Sequence, residues 1–380
     1  MAQRRRIGII YTYDENWIGG TYYIQNLISA LNNLPESSLF ELVIFTENNE
    51  HYTELKNSTH YPFLVRGSHV VRLSLIKRMV NRIGRAINNQ NIFSVLISDI
   101  AWVFPGNNER LFKKDQPFLY WIPDFQENYL PEYFSHQEIT RRKQIQANII
   151  KTGKYILFSS QSARNDFNEI YPLNNLNQFV LNFAVTHPEL KECFSKMDKF
   201  NIPRLFFICS NQFYKHKNHI TLFKAIQLLK KEGHDICVVF TGKEHDERHP
   251  EFFKEIIEMI QVLEIENQVK LLGFINREDQ LCLMKNAVAI IQPSLFEGWS
   301  TVIEDAKALR AKVIASDINV HREQLNSYGL SLLFGATNEI ELAKCLLTIG
   351  KIDAVVPDYR KNVIVFAENF RMIIDNISNN

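Results

Sequence analysis

Two acidic residues and a glycine stand where an apolar run meets a helical pattern. Residues 287–291 are apolar, a loop holds Glu297-Gly298, and a helix is predicted from about Ser300, with Glu304 one turn in. Gly298 lets a ligand approach the backbone closely. The amides of Trp299, Ser300, Thr301 and Val302 stand at a helix start, where backbone N–H groups lack partners and suit an anion. Two carboxylates seven positions apart across that start can hold two hydroxylated parts of one ligand, with its phosphate at the amides between them. Thr301-Val302-Ile303-Glu304 also reads as a capping box, which by itself would account for Glu304. Glu297 before a glycine also fits an ordinary turn.

A second loop offers cations. Cys209-Ser210-Asn211-Gln212-Phe213-Tyr214-Lys215-His216-Lys217-Asn218-His219 follows an apolar run and precedes a helical one. Lysines at a helix entrance suit a pyrophosphate, and a solvated basic turn would look the same. Gly19-Gly20 follows the first apolar run, where paired glycines admit a ligand or make a tight turn. Tyr120-Trp121-Ile122-Pro123-Asp124 is aromatic and polar just after another run. Asp124 there is placed to contact a hydroxyl, or to cap the next turn. Phe274, Trp299 and Trp17 are further aromatic candidates for the lining. His245-Asp246-Glu247-Arg248-His249 lacks a third ligand and a helix, so no metal site is expected.

These loops need a frame. The chain of 380 residues exceeds one ordinary core, so about two domains are expected. Its 46% apolar and 22% charged residues are globular composition, and a net charge of +1 argues against a nucleic-acid binder. Strands are predicted at 7–12, 41–46, 93–98, 117–122, 155–159 and 178–182, with helices at 21–33 and 137–151. After about residue 200 the alternation restarts, with strands at 204–210, 236–241, 269–272, 288–291 and 312–315 and helices at 218–231, 250–263, 277–285 and 300–310. Alternation of this kind gives parallel sheets covered on both faces. Ligands of such sheets bind outside the carboxyl ends of the strands, which points to a cleft between two domains.

Pro293-Ser294 followed by Glu297-Gly298, with Glu304 as the second acid, resembles the signature of retaining glycosyltransferases of family 4. The resemblance runs from about Leu272-Gly273-Phe274 to Ile314-Ala315-Ser316-Asp317. It implies the GT-B fold: an α/β chain of two doubly wound Rossmann-like domains facing across a cleft. The first would span 1–190 and take the acceptor, and the second 200–355 and take the nucleotide sugar. A C-terminal helix over 357–376 fits packing back on either domain, the first included. By resemblance, Glu297 lies against the donor sugar and Glu304 binds the nucleotide ribose. Lys217, or secondarily Lys215, meets the diphosphate, and Gly19 and Gly20 face the donor phosphates. Glu297, Asp124 and Lys217 are the expected catalytic residues. Gln212, Phe274, Gly298, Trp299, Ser300 and Thr301 complete the expected donor site. The segment 123–134 resembles Pro-Asp-x-Gln-His-x-x-x-Pro-Glu-Phe-Phe, with Glu127 in place of the histidine. Asn211-Gln212 replaces the frequent Gly-Arg, and Asp305, Arg310 and Lys312 are further departures.

The activity implied is metal-independent transfer of a sugar from a UDP- or GDP-sugar to a glycan or lipid-linked acceptor in bacterial-type surface polysaccharide synthesis. No cofactor is expected. A nucleotide-sugar epimerase of GT-B-like fold and a non-catalytic sugar-nucleotide-binding subunit stay open as alternatives. No acidic residue occurs between Glu54 and Asp99. Arg72, Lys77, Arg78, Arg82 and Arg85 fall in that stretch among apolar residues at near-helical spacing. They are expected to meet an anionic membrane or acceptor; a solvated basic face on a core helix fits the same pattern. The five cysteines are scattered with no C-x-x-C pair, and Cys209 and Cys237, in apolar runs, read as buried free thiols; this usage, with the absence of a long apolar run, suggests a cytoplasmic protein, peripheral on the inner membrane.

Overall fold

The computed structural model describes residues 4–13, 18–36, 39–46, 48–67, 76, 79–80, 82–84, 100–106, 116–190, 193 and 198–378. The apolar runs become parallel strands. β1 (Arg6–Ile10), β2 (Glu41–Phe45), β3 (Leu64–Arg66) and β4 (Trp102–Phe104) pair in the order β3-β2-β1-β4. β5 (Leu119–Ile122), β6 (Tyr155–Phe158) and β7 (Asn177–Val180) continue in sequence order. A bridge from Val103 to Phe118 joins the two sets. The second sheet runs β10-β9-β8-β11-β12-β13, from β8 (Phe207–Ser210), β9 (Val238–Thr241), β10 (Val269–Leu271), β11 (Ile290–Gln292), β12 (Val313–Ser316) and β13 (Ser331–Phe334).

Both sheets are doubly wound, and each reverses its strand order beside its first strand. There the loops after β1, β8 and β11 diverge and open a crevice. The predicted strand at 93–98 lies outside the described residues. β3, β4 and β13 were not expected from the sequence. The first two are only three residues long, too short for a periodic signal.

The chain crosses between the domains near residue 185 and again near residue 359. The helix Arg360–Ser378 then lies on the first domain. Its Val363, Phe366, Phe370 and Ile374 join one core with Ile7, Leu27, Leu31 and Leu42. Phe370 meets Phe104 at 5.9 Å and Phe366 meets Tyr23 at 5.9 Å between ring centres. The two crossings are tied together: the Tyr359 hydroxyl accepts the Val185 N–H at 3.0 Å and donates to Glu304 Oε2 at 2.6 Å.

The cysteine expectation needs correction. Cys193 and Cys282 form a disulfide, joining the segment before β8 to the helix Arg277–Asn286. The partners are 89 positions apart, so no local spacing signals them. Cys209, Cys237 and Cys345 are free. Cysteine usage therefore gives no argument for a reducing compartment.

Phe370 is fully buried. Phe370→Ala should lower the unfolding free energy of the first domain by about 3–5 kcal/mol, read from urea denaturation. An unchanged midpoint would contradict this packing.

Candidate functional site

A cleft of about 870 Å³ lies between the domains, at the carboxyl ends of their strands. The first domain lines it with Gly19 and Gly20 after β1, Pro123 and Asp124 after β5, and Arg142. The second domain adds Asn211, Gln212 and Lys217 after β8, Arg277, and the loop and helix start after β11.

Lys217 and Glu297 meet there. Lys217 Nζ donates to Glu297 Oε1 at 2.6 Å, and Gln292 Nε2 donates to the same oxygen at 2.8 Å. Gln292 is itself held, since Asn211 Nδ2 donates to its Oε1 at 2.9 Å. Asn211, which with Gln212 stands in place of the resembled family's Gly-Arg, is thus the first link of a chain that orients Glu297. The turn that delivers Lys217 is fixed by Asn218, whose backbone is left-handed (φ 56°). Its side chain donates to Pro293 O at 3.0 Å and Ala336 O at 2.7 Å. Lys215 goes elsewhere: its ammonium lies 5.6 Å from the centre of the Phe252 ring and does not line the cleft.

Gly298 is where the two domains touch backbone to backbone. A Cβ there would sit 2.5 Å from Pro123 O and 3.0 Å from Asp124 Cβ. Asp124 Oδ1 accepts the Gln126 N–H at 3.1 Å. Burial pushes the Asp124 carboxyl up from its ordinary range, with Arg142 opposing the shift. Glu127 does not line the cleft. Its side chain is fully buried, accepting from Arg142 Nη1 at 3.1 Å and Gln146 Nε2 at 2.7 Å. The anion that replaces the resembled histidine therefore holds Arg142 in place and puts no charge in the cleft.

The helix after β11 spans Thr301–Leu309, and Ser300 caps it, accepting the Ile303 N–H at 3.3 Å. Glu304 closes no capping box. Only 1% exposed, it accepts from Tyr359 (2.6 Å), Lys307 (2.9 Å) and Gln324 (3.1 Å), and it does not reach the cleft. The next residue does. Asp305 lines the cleft and binds Arg277 Nη2 and, at 2.8 Å, His187 Nε2. Its second oxygen, Oδ2, is buried and without a partner among the described residues. Burial would raise this carboxyl, but Arg277 and then His187 prevail and hold it low. One helical step of about 100° separates the two acids, so they serve different sides of the helix.

Of the four amides expected to meet an anion, that of Ser300 is taken by Gln324 Oε1 at 2.9 Å. Thr301 and Val302, whose first-turn amides have no intrahelical acceptor, line the cleft. Trp299 lines it too, its indole donating to Phe183 O at 3.1 Å. Phe274 lines it while 61% exposed. A side chain at Gly19 would meet nothing within 4 Å. Trp17, Arg72, Lys77, Arg78 and Arg85 lie outside the described residues, and Arg82 is exposed. Asp305, Arg277 and His187 were missed as site residues. The acidic pair Glu304-Asp305 was the available signal. Among the described residues, no group of three or more His, Cys, Asp or Glu side chains is placed to hold a metal ion.

Residues 193–365 match the family model described as glycosyl transferases group 1. No curated protein matches the chain in sequence. Among solved structures, a glycosyltransferase from Rickettsia africae is 17% identical with a TM-score of 0.63, covering 99% of this chain and 98% of that one. The Anabaena protein HepE in complex with UDP and glucose is 14% identical with a TM-score of 0.68, covering 98% and 100%. Sucrose-phosphate synthase from Thermosynechococcus elongatus is 15% identical with a TM-score of 0.63, covering 98% and 98%. The fold is GT-B, and with the family match over its second half the chain is a glycosyltransferase.

Gly298→Ala must push the domains apart. A displacement of about 1 Å at a reacting centre can cost roughly a hundredfold in rate. The sugar-transfer rate of the variant should fall by about that much while its unfolding midpoint holds; an undiminished rate would show that this contact does not set the cleft.

Proposed function

We propose that this glycosyltransferase moves a sugar from a UDP- or GDP-sugar to a glycan or lipid-linked acceptor, with retention of configuration and without a metal. The single observation that carries this reading is the Lys217–Glu297 pair set beside a helix mouth, at 2.6 Å. Lys217 has further N–H donors for a diphosphate, and the amides of Thr301 and Val302 lie on the same cleft. Together they would stabilise charge developing on the leaving diphosphate. Glu297 would lie against the donor sugar. Asp305, with its unpartnered oxygen, takes the hydroxyl-binding role first assigned to Glu304. HepE, bound to UDP and glucose or to UDP-glucose in its own structures, supports a nucleotide-sugar donor.

The state of the carboxylates argues against a covalent sugar–enzyme intermediate. Glu297 is held by Lys217 and Gln292, and Asp305 by Arg277 and His187, so neither is poised as a nucleophile. In the same-face route the leaving phosphate helps deprotonate the acceptor, and no strong protein base is needed. Asp124, its carboxyl raised by burial, would contact the acceptor hydroxyl. The first domain, 1–190, would take the acceptor and the second, 200–355, the donor, in surface polysaccharide synthesis of the bacterial type.

The acceptor side would face a membrane. Ile76, Met79 and Ile83 are 74%, 67% and 56% exposed, in the acid-free stretch that also carries exposed Arg82. An apolar surface flanked by basic residues suits an anionic leaflet. No helix among the described residues is long and apolar enough to cross a membrane.

A donor screen tests the reading. UDP- and GDP-sugars are offered with and without EDTA while nucleotide release is followed. Release from one donor, unchanged by EDTA, is expected, and loss with EDTA would overturn the metal-free route. Glu297→Ala should lower kcat by about 100–1,000-fold; full rate would remove Glu297 from the site. Neutralising Arg78, Arg82 and Arg85 together should reduce sedimentation with anionic vesicles, and equal sedimentation would reject the membrane contact.

A further inference from the structure

The short helix Asn319–Leu325 carries two neighbouring side chains that reach different domains. Its base is fixed to the second domain. His321 Nδ1 bonds Ser316 O at 2.8 Å, and Arg322 Nη2 bonds Asp317 Oδ2 at 2.7 Å. From there Glu323 crosses to the first domain. Its Oε1 accepts the Gln161 N–H at 2.9 Å and Asn182 Nδ2 at 3.2 Å, and its Oε2 accepts the Ser162 N–H at 3.1 Å. These amides open the helix Gln161–Ile170, which has no acidic residue in its own first turn. A helix N-terminus favours an anion, and here the opposite domain supplies it.

Gln324 faces the other way. Its Oε1 accepts the Ser300 N–H at 2.9 Å, and its Nε2 donates to Ser300 O and to Glu304 Oε1, each at 3.1 Å. Ser300 caps the helix whose next two residues, Thr301 and Val302, line the cleft. Two adjacent residues of one rigid turn thus grip the first domain and the backbone at the mouth of the cleft. The first domain also meets the loop just before Ser300, at Gly298 against Pro123 O and at Trp299, whose indole donates to Phe183 O at 3.1 Å, and farther along the chain through Arg248 with Glu138 at 3.2 Å; Glu323 is the contact that acts through Gln324.

We propose that Glu323 is a positioning residue: it couples closure of the domains to the placement of the Thr301 and Val302 amides, through Gln324 and Ser300. When the first domain docks, the bond to Glu323 settles the turn, and the turn settles Ser300. When the domains part, that restraint is lost and the amides are less well held. The role assigned to the amides rests on the donor reading above; the link from Glu323 to closure does not.

Glu323→Ala and Glu323→Gln separate the possibilities. The amide keeps one acceptor oxygen and loses the charge, so an order of Glu, then Gln, then Ala is expected. The kcat for nucleotide release should fall roughly tenfold in the Ala variant, because charge-assisted bonds to two amides no longer favour the closed arrangement. The donor KM should change less than about threefold, since donor groups come mostly from the second domain. Small-angle scattering of the protein without ligand should show a larger radius of gyration for Glu323→Ala than for the wild type, at an unchanged unfolding midpoint. Equal radii for wild type and Ala variant would overturn the proposal, as would a loss confined to KM. A wild-type protein that turned over no sugar nucleotide would sink the donor reading, and the scattering comparison would still decide this one.

Discussion

The arrangement of the two domains hangs on one buried carboxylate. Glu304 is shut away from water, and an unpaired charge there would cost several kcal/mol. Tyr359, Lys307 and Gln324 satisfy it at 2.6, 2.9 and 3.1 Å. Each donor brings a different part of the chain. Lys307 is one turn along the same helix, Gln324 belongs to the next helix, and Tyr359 stands where the chain returns to the first domain. Tyr359 in turn takes the Val185 N–H of the outward crossing. Burial and the neighbouring Glu304 push the Tyr359 hydroxyl well up, so it stays a donor at ordinary pH. Satisfying one charge thus stitches both crossings to the helix at the mouth of the cleft.

The cleft inherits its shape from that stitch. Gly298 can touch Pro123 only if the domains are held at one separation, and the Lys217–Glu297 pair lies beside that contact. Asp305, the neighbour of Glu304, is then turned toward the cleft and caught by Arg277 and His187. His187 belongs to the outward crossing itself. One helix therefore turns consecutive acids two ways, one into the frame and one toward the cleft.

The sequence made some of this legible. Buried strands of four or five residues, such as β6 and β8, fully buried, and β1, buried at its centre, stand out as apolar runs, and several of the loops that follow such strands line the cleft. β3 and β4 were too short to see. The choice between Glu304 and Asp305 was not legible, because it depends on what packs behind the helix, and Tyr359 comes 55 positions later. The burial of Glu127 was not legible for the same reason. Its partners Arg142 and Gln146 sit four apart on one helix, 15 and 19 positions further along the chain. Lys215 and Lys217 are near-equal in sequence, and only the left-handed turn at Asn218 separates their directions.

The helix Arg360–Ser378 has a consequence for the order of assembly. Domains made early in synthesis usually fold as they emerge. Here the sheet of the first domain emerges first, yet part of its core arrives last. Until Phe366, Phe370 and Ile374 are made, Ile7, Leu27 and Leu31 lack the side chains that cover them. The second domain, whose two cores are drawn from residues of its own half, reaches completion while the first still waits with an apolar face bare. The earliest residues of the chain are the last to be enclosed, and a ribosome halted midway would leave an exposed sheet in search of a helix.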